Sequence, residues 1–370
     1  MSMPCYPSSA LPELVEGLFF PCHERSEEGQ PFDKLREGGL GAAMRVYRDE
    51  DADLALIRTK RVAIIGYGNQ GRAQALNLRD SGVQKVTIAL PDAARRRAAV
   101  EEDGFIVHDV AETAAKADLV MMLAPDETQA TIYAEHLAPH LRHGAAIGFS
   151  HGFAIRFGLI EPRADLDVFL VAPKGPGTAL RQLYTEGKGM IALFAVEQDA
   201  TGKAGSIALS YAAALGSGRV GILPTSFAEE CEADLFNEQA VLWGAIPELI
   251  QAGFDTLVEA GFSPEIAYFE CLTEVKLIAD LIYERGIAGM REAISSTARL
   301  GAIEGGPRIV TDETRAEMRR ILAEVRSGKF ARELVAEGVG GYPRLTAAAE
   351  LTAAHPIEKV RRRLLDLTKG

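Results

Sequence analysis

Short apolar blocks punctuated by polar turns fill the first half of the chain, and each has the length of a strand rather than a helix. Lys60 to Ile65 reads as a short buried strand, a helical stretch follows from Arg72 to Ser81 with Gly82 as its stop, and a second strand runs from Lys85 to Leu90. Leu119–Leu123, Ala145–Phe149, Val168–Val171 and Met190–Ala195 are further strand candidates, most of them separated by helical stretches. That alternation predicts an α/β fold, a Rossmann-like doubly wound parallel sheet with helices on both faces. After residue 226 the period becomes helical, with candidates at Ala228–Leu242, Ile246–Ala260, Glu265–Glu284, Ile287–Thr297, Asp312–Ser327 and Ile357–Leu367. Some of these are apolar on more than one face, which suits intertwined subunits better than a free-standing bundle.

Residues 1–43 show neither period. They are rich in Pro, Ser, Glu and Gly, and Glu13 and Glu16 interrupt the apolar stretch that a signal peptide would need. The reading is a poorly ordered extension, with Met44 an alternative start, then a domain over 44–225 and a helical domain over 226–370.

The first strand runs straight into Gly66-Tyr67-Gly68-Asn69-Gln70-Gly71, a complete G-x-G-x-x-G in strand–turn–helix–strand context. The first glycine permits the tight turn, the second lets backbone approach a pyrophosphate, and the third lets the helix pack on the strand. A dinucleotide is therefore expected, its phosphates at a helix N-terminus. Asp92, 21 residues after Gly71, lies where an acid would bind the ribose of NAD, but Arg95-Arg96-Arg97 follows at once and suits the 2′-phosphate of NADP. NADP is favoured, with NAD possible.

Two acidic doublets mark the helical half. Asp234/Glu238 and Glu270/Glu274 are each spaced i,i+4, which puts both carboxylates on one helix face. Like charges at that spacing cost roughly 0.2–0.5 kcal/mol per pair on a solvated helix, and partial burial raises the cost. Four carboxylates facing inward would need cations, and oxygen-only ligands favour Mg²⁺.

Composition sets outer bounds. At 370 residues, 47% hydrophobic and 25% charged, the chain has ordinary globular composition and length for two or three domains. A net charge of −12 argues against a nucleic-acid partner, and no apolar run approaches the ~20 residues a membrane span needs. Cys5, Cys22, Cys231 and Cys271 form no metal-like pair, and a reducing cytoplasm is the natural reading. His136, His140 and His143 have near-helical spacing, but Pro139 between them breaks a helix, so they read as surface rather than a metal face.

Several motifs in order carry a resemblance: the glycine loop, Pro125-Asp126-Glu127-Thr128-Gln129, Ser150-His151-Gly152-Phe153, Ala172-Pro173-Lys174-Gly175-Pro176-Gly177, Asp234-Leu235-Phe236-Asn237-Glu238-Gln239, and Ala267 to Glu274. Together they resemble the ketol-acid reductoisomerases, from about Met44 to near the C-terminus, in the class with a single short knotted helical domain. The resemblance implies Mg²⁺-dependent alkyl migration, then reduction by NADPH, of 2-acetolactate or 2-aceto-2-hydroxybutyrate to a 2,3-dihydroxy acid in valine and isoleucine synthesis. It implies two Mg²⁺ ions on Asp234 and Glu238, with Glu270 and Glu274 coming from the second subunit of a homodimer. By the same resemblance His151, Lys174 and Glu274 are catalytic, and Ser295 contacts the substrate carboxylate. Gly66 to Gly71, Asp126, Glu127, Thr128, Gln129 and Gly177 would contact the cofactor, and Arg96 is a further cofactor candidate from the arginine run rather than from the family pattern. The sequence departs from the family pattern at Asn69, Ser150, Thr178, Asn237, Ser296 and Arg299, and at Pro91, Ala94 and Arg96 on the adenine side. Two alternative readings stay open: a paralogous NAD(P)H-dependent 2-keto acid reductase without isomerase activity, and a catalytically silent dinucleotide-binding protein.

Overall fold

The structure, a computed structural model, describes residues 44–90 and 96–368. The extension over 1–43, with Cys5 and Cys22, and the candidates Asp92 and Arg95 lie outside the described residues. Among the described residues, eight strands form one sheet: β1 Arg61–Ile65, β2 Lys85–Ala89, β3 Val107–His108, β4 Leu119–Met122, β5 Ala146–Phe149, β6 Asp167–Pro173, β7 Ala192–Asp199 and β8 Ile222–Pro224, in the order β3-β2-β1-β4-β5-β6-β7-β8. Every residue of β4, β5 and β6 is buried. This explains why they read as continuous apolar runs: a parallel strand covered on both faces has no polar side. The two faces carry separate apolar clusters, one around Ile64, Met121 and Tyr211 and the other around Ile65, Met122 and Phe149.

At one end of β1 the Asp118 carboxylate accepts from the Arg61 backbone N–H at 2.8 Å and from Arg61 Nε at 3.1 Å, and it also pairs with Arg142. Asp118 thereby clamps the start of β1 to the start of β4.

Parallel pairing is not complete. β7 runs antiparallel to β6, with Pro173 opposite Ala192. The chain leaving β6 makes the Gly177–Thr185 helix, which packs on the Asn69–Asp80 helix instead of crossing back over the sheet, so β7 re-enters from the edge where β6 ended. The expected start at Met190 moves to Ala192, and β3 and β8, two and three residues long, carry too little pattern to be read from sequence.

The described chain divides into two compact units, the first ending at Cys231 and the second beginning at Glu232. The division falls inside the Phe227–Asn237 helix. The second unit is all-helical, and four expected helices recur as Phe227–Leu242, Ala245–Glu259, Asp312–Arg326 and Pro356–Thr368. The break expected between Glu284 and Ile287 is Gly286, at φ 68° and ψ 171° inside Glu274–Ala293. A side chain would be strained at that φ. The stretch expected to run from Ile287 to Thr297 stops at the extended Ile294, and a new helix spans Ser296–Ile309 despite Gly305, Gly306 and Pro307. Lys329–Val339 and Pro343–Ala354 are helices outside the expected set. Among the described residues, no helix is long and apolar enough to cross a membrane.

Candidate active site

The loops singled out by sequence leave the same edge of the sheet. The glycine loop follows β1, Asp126 to Gln129 follow β4, His151 follows β5 and Lys174 follows β6. This is the carboxyl edge of the parallel strands, on either side of the point where strand order reverses between β1 and β4.

The glycine loop meets its steric requirements one by one. Gly66 has φ 103°, and a Cβ there would lie 2.5 Å from the Leu123 carbonyl oxygen. A Cβ on Gly71 would lie 2.2 Å from the Gly66 carbonyl oxygen, whereas one on Gly68 would meet nothing within 4 Å. Two of the glycines are thus required by the protein's own packing, and the third faces open space where a ligand's phosphates fit. The helix expected from Arg72 begins earlier, at Asn69, so the loop's second half is already its first turn. Tyr67 turns inward: its side chain is buried and its hydroxyl donates to Asp103 Oδ2 at 2.8 Å. Burial and the adjacent Asp103 push that phenol well above its ordinary pKa, which leaves the residue's backbone to serve the loop.

Asn69 Oδ1 accepts from the Thr178 backbone N–H at 2.8 Å, and a Cβ on Gly177 would lie 2.1 Å from the Asn69 carbonyl oxygen. The two helix N-termini therefore sit against each other. Gln129 Nε2 donates to the Ala124 carbonyl and to Asp126 Oδ1, both at 2.9 Å, and Thr128 Oγ1 donates to the Pro125 carbonyl at 2.7 Å, fixing the loop with Glu127. Arg96 is exposed at the N-terminus of the Arg97–Glu102 helix.

His151 and Lys174 converge on a residue the sequence reading missed. Glu230 is buried on the Phe227–Asn237 helix. Its Oε1 accepts from Lys174 Nζ at 3.1 Å, and its Oε2 accepts from the Gly152 backbone N–H at 2.9 Å and lies 3.1 Å from His151 Nδ1. Burial alone would raise the Glu230 pKa, but His151, Lys174 and the Gly152 N–H outweigh it and hold the carboxyl below its ordinary value. An ionised carboxylate only accepts, so Nδ1 carries the hydrogen. Burial pulls His151 toward neutrality, yet contacts with Cys231 and Glu230 and the charges of Glu230 and Asp126 raise it well above the usual imidazole value. Cys231 Sγ lies 3.9 Å from His151 Nε2, and burial pushes that thiol up. A Cβ on Gly152 would lie 2.4 Å from the Phe227 carbonyl oxygen, so only glycine lets the His151 loop sit this close to the helix. A signal for Glu230 existed: it precedes Asp234 by four residues, making Glu230, Asp234 and Glu238 one i,i+4,i+8 series.

The acidic doublets lie where the helices change pitch. Asp234 and Glu238 are half-buried, and Glu238 opens a π-helical turn, Glu238–Leu242. Glu270 lies in a second one, Phe269–Thr273, and Glu274 follows it. A π turn widens the spacing by about one residue, so Glu270 and Glu274 stack less directly than a regular helix would place them. Both are exposed in the single chain. Ser295 is exposed, and its Oγ caps the Ser296–Ile309 helix by accepting from the Ala298 N–H at 3.1 Å. His140 and His143 are exposed and His136 is half-buried, and His143 pairs with Asp165 at 3.3 Å.

A Rossmann sheet with its glycine loop beside a His–Glu–Lys cluster defines a nicotinamide-dependent oxidoreductase. Residues 56–221 match the acetohydroxy acid isomeroreductase NADPH-binding domain, and residues 227–369 match the ketol-acid reductoisomerase C-terminal domain. The chain is 42% identical to an NADH-preferring ketol-acid reductoisomerase from an uncultured archean, with a TM-score of 0.83 over 88% of this chain and 99% of that one. It belongs to the ketol-acid reductoisomerase family, enzymes of branched-chain amino acid biosynthesis. An oxidoreductase from Jannaschia sp. (75% of this chain, 99% of that one) and a semialdehyde dehydrogenase NAD-binding protein from Cupriavidus necator (73% and 99%) share the fold, each at 19% identity and TM-score 0.57.

Proposed function

We propose that this enzyme rearranges and reduces 2-acetolactate and 2-aceto-2-hydroxybutyrate to 2,3-dihydroxy acids, with two Mg²⁺ ions and NADPH, as a cytoplasmic homodimer or an assembly of dimers. Residues 44–225 serve the dinucleotide and the helices from 226 carry the metal ligands. The observation that carries the reading is the buried Glu230 carboxylate, bracketed by His151 and Lys174 one helical turn before Asp234.

Asp234 and Glu238 fit a hard divalent ion: both are half-buried oxygen donors one turn apart. Bound there, a divalent pair would supply Lewis acidity, favouring the deprotonated tertiary hydroxyl and the polarised ketone that an alkyl shift needs. Glu270 and Glu274, exposed in one chain, complete the ligand set of a second subunit's site. Glu274 holds the proton taken from the substrate hydroxyl at its carboxylate. Lys174 Nζ and the His151 imidazole balance Glu230 and orient the acetohydroxy acid, while the Ser295 hydroxyl donates to its carboxylate. The glycine loop, Asp126 to Gln129 and Gly177 would hold the nicotinamide cofactor, which would supply the hydride for the reduction.

Arg96 and Arg97, exposed beyond the end of β2, support a 2′-phosphate and hence NADPH. NADH is the second reading, favoured by the preference named for the 42%-identical relative.

The test is a steady-state assay with 2-acetolactate, both nicotinamides, and magnesium with and without chelator. Magnesium-dependent oxidation of the reduced nicotinamide is expected, abolished in Glu238→Ala. Reduction of simple 2-keto acids without conversion of acetolactate would replace this reading with that of a paralogous reductase, and cofactor binding without any turnover would replace it with that of a silent protein.

A further inference from the structure

Four polar side chains buried or half-buried behind the catalytic edge form one continuous chain of hydrogen bonds. The Tyr211 hydroxyl, fully buried, donates to Gln74 Oε1 at 2.7 Å. Gln74, also fully buried, spends both Nε2 hydrogens, one on Gln70 Oε1 at 3.1 Å and one on Ser150 Oγ at 2.9 Å. Gln70 Nε2 donates onward to the Gly175 carbonyl at 2.9 Å, and Ser150 Oγ donates to the Val171 carbonyl at 2.9 Å.

The direction of every bond follows from the two terminal carbonyls, which can only accept. Reversing the Gln74 amide would turn its oxygen toward Gln70 Oε1. Reversing Gln70 to relieve that would set its oxygen against the Gly175 carbonyl. The network therefore has one satisfied arrangement, and a buried network of that kind rigidifies what it joins. It joins the glycine loop through Gln70, the His151 loop through Ser150, and the β6 end and Lys174 loop through Val171 and Gly175.

We infer that Gln74 is a positioning residue: from behind the sheet edge it sets the distance between the glycine loop that holds the nicotinamide and the loops that present His151 and Lys174. Nothing in the sequence motifs requires this of Gln74. Tyr211 acts one step further back, as the donor that fixes which way the Gln74 amide points. Burial holds its phenol far above the ordinary value, so it stays a donor across the working pH range.

This inference rests on the proposed reaction for its kinetic arm and on nicotinamide binding alone for its second arm. The experiment compares wild type with Gln74→Leu, Tyr211→Phe, Ser150→Ala and the double variant Gln74→Leu/Ser150→Ala. Each is assayed for kcat and KM with 2-acetolactate and titrated with reduced nicotinamide by fluorescence. Gln74→Leu is expected to lower kcat by about ten- to a hundredfold, the scale on which misplacing reactive groups by about 1 Å acts. It should also weaken nicotinamide binding, with the KM for acetolactate unchanged. Tyr211→Phe, which leaves both loops' own side chains intact, should shift the same two quantities in the same direction by less. The double variant should be no worse than Gln74→Leu, because both substitutions cut one chain. Unchanged kcat and nicotinamide affinity in a folded Gln74→Leu would overturn the inference, as would fully additive losses in the double variant. If Gln74→Leu does not fold, Tyr211→Phe decides: wild-type kcat and affinity in that variant overturn it. If wild type itself fails to turn over acetolactate, the proposed function falls, and the nicotinamide titrations of the same variants still decide the role of Gln74.

Discussion

Glu230 is where single side chains matter most. Its carboxylate satisfies an imidazole, an ammonium and a backbone N–H at once, and removing its charge leaves all three donors facing a neutral amide. Glu230→Gln should lower the His151 pKa, since the partner charge that raises it is gone. Activity should fall by about 10²-fold, within the range of a displaced acid–base group. The His151 ring-proton titration followed by NMR, alongside kcat, checks both; an unmoved His151 titration would contradict the electrostatic account. The sequence located His151 and Lys174 by motif but not Glu230. A pair such as Glu229-Glu230 at the start of a helix reads as ordinary first-turn acids until the fold buries one of them.

Among the elements, the sheet was largely legible because fully buried strands leave unbroken apolar runs. Its irregularities were not. β7 is antiparallel because the Gly177–Thr185 helix packs on Asn69–Asp80 instead of recrossing the sheet, a tertiary choice without local signature. The π turns at Glu238–Leu242 and Phe269–Thr273 likewise leave no mark on a 3.6-residue period. One clamp between elements gives a pH prediction. Burial would raise the Asp118 pKa, but hydrogen bonds from Arg61 and Arg142 overcome it and depress it far below the usual carboxylate range. A depressed carboxylate adds stability that is present above its unfolded pKa of about 3.9 and is lost as pH falls through the folded value. Asp118→Asn should therefore destabilise the first unit by about 1 kcal/mol near neutrality. The gap from wild type should close as pH drops below about 4. Thermal melts of both proteins at pH 7 and at about pH 2 measure it, and a gap that stays constant between them would rule the clamp out.

The molecule as a whole leaves its second unit short of a core. Phe254, Ala267, Ile357 and Val360 form one small buried cluster there, while Trp243, Leu249, Leu277, Tyr283, Leu300 and Leu351 are exposed, Tyr283 at 92%. Apolar helix faces on this scale mark an interface, and the same helices carry the exposed Glu270 and Glu274. A second copy of the chain is the partner that fits the proposed shared site. Sedimentation should give a dimer or larger species. Leu277→Glu should shift it toward monomer and cut turnover with it, because the partner's acids leave with the partner. Monomers of full activity would refute a shared site.

The order of residues settled whatever acts over a few positions: the strand blocks, the glycine loop with its steric demands, the acidic spacings and the break at Gly286. Each follows from backbone geometry or from burial repeated along one element, which neighbours in sequence can express. Packing in three dimensions settled the rest. It chose which glutamate is buried against His151, turned the Tyr67 side chain onto Asp103, reversed β7, and linked Tyr211 to the His151 loop through Gln74. These contacts join residues tens to more than a hundred positions apart, and no local pattern encodes which of several similar side chains the closed fold will bring together.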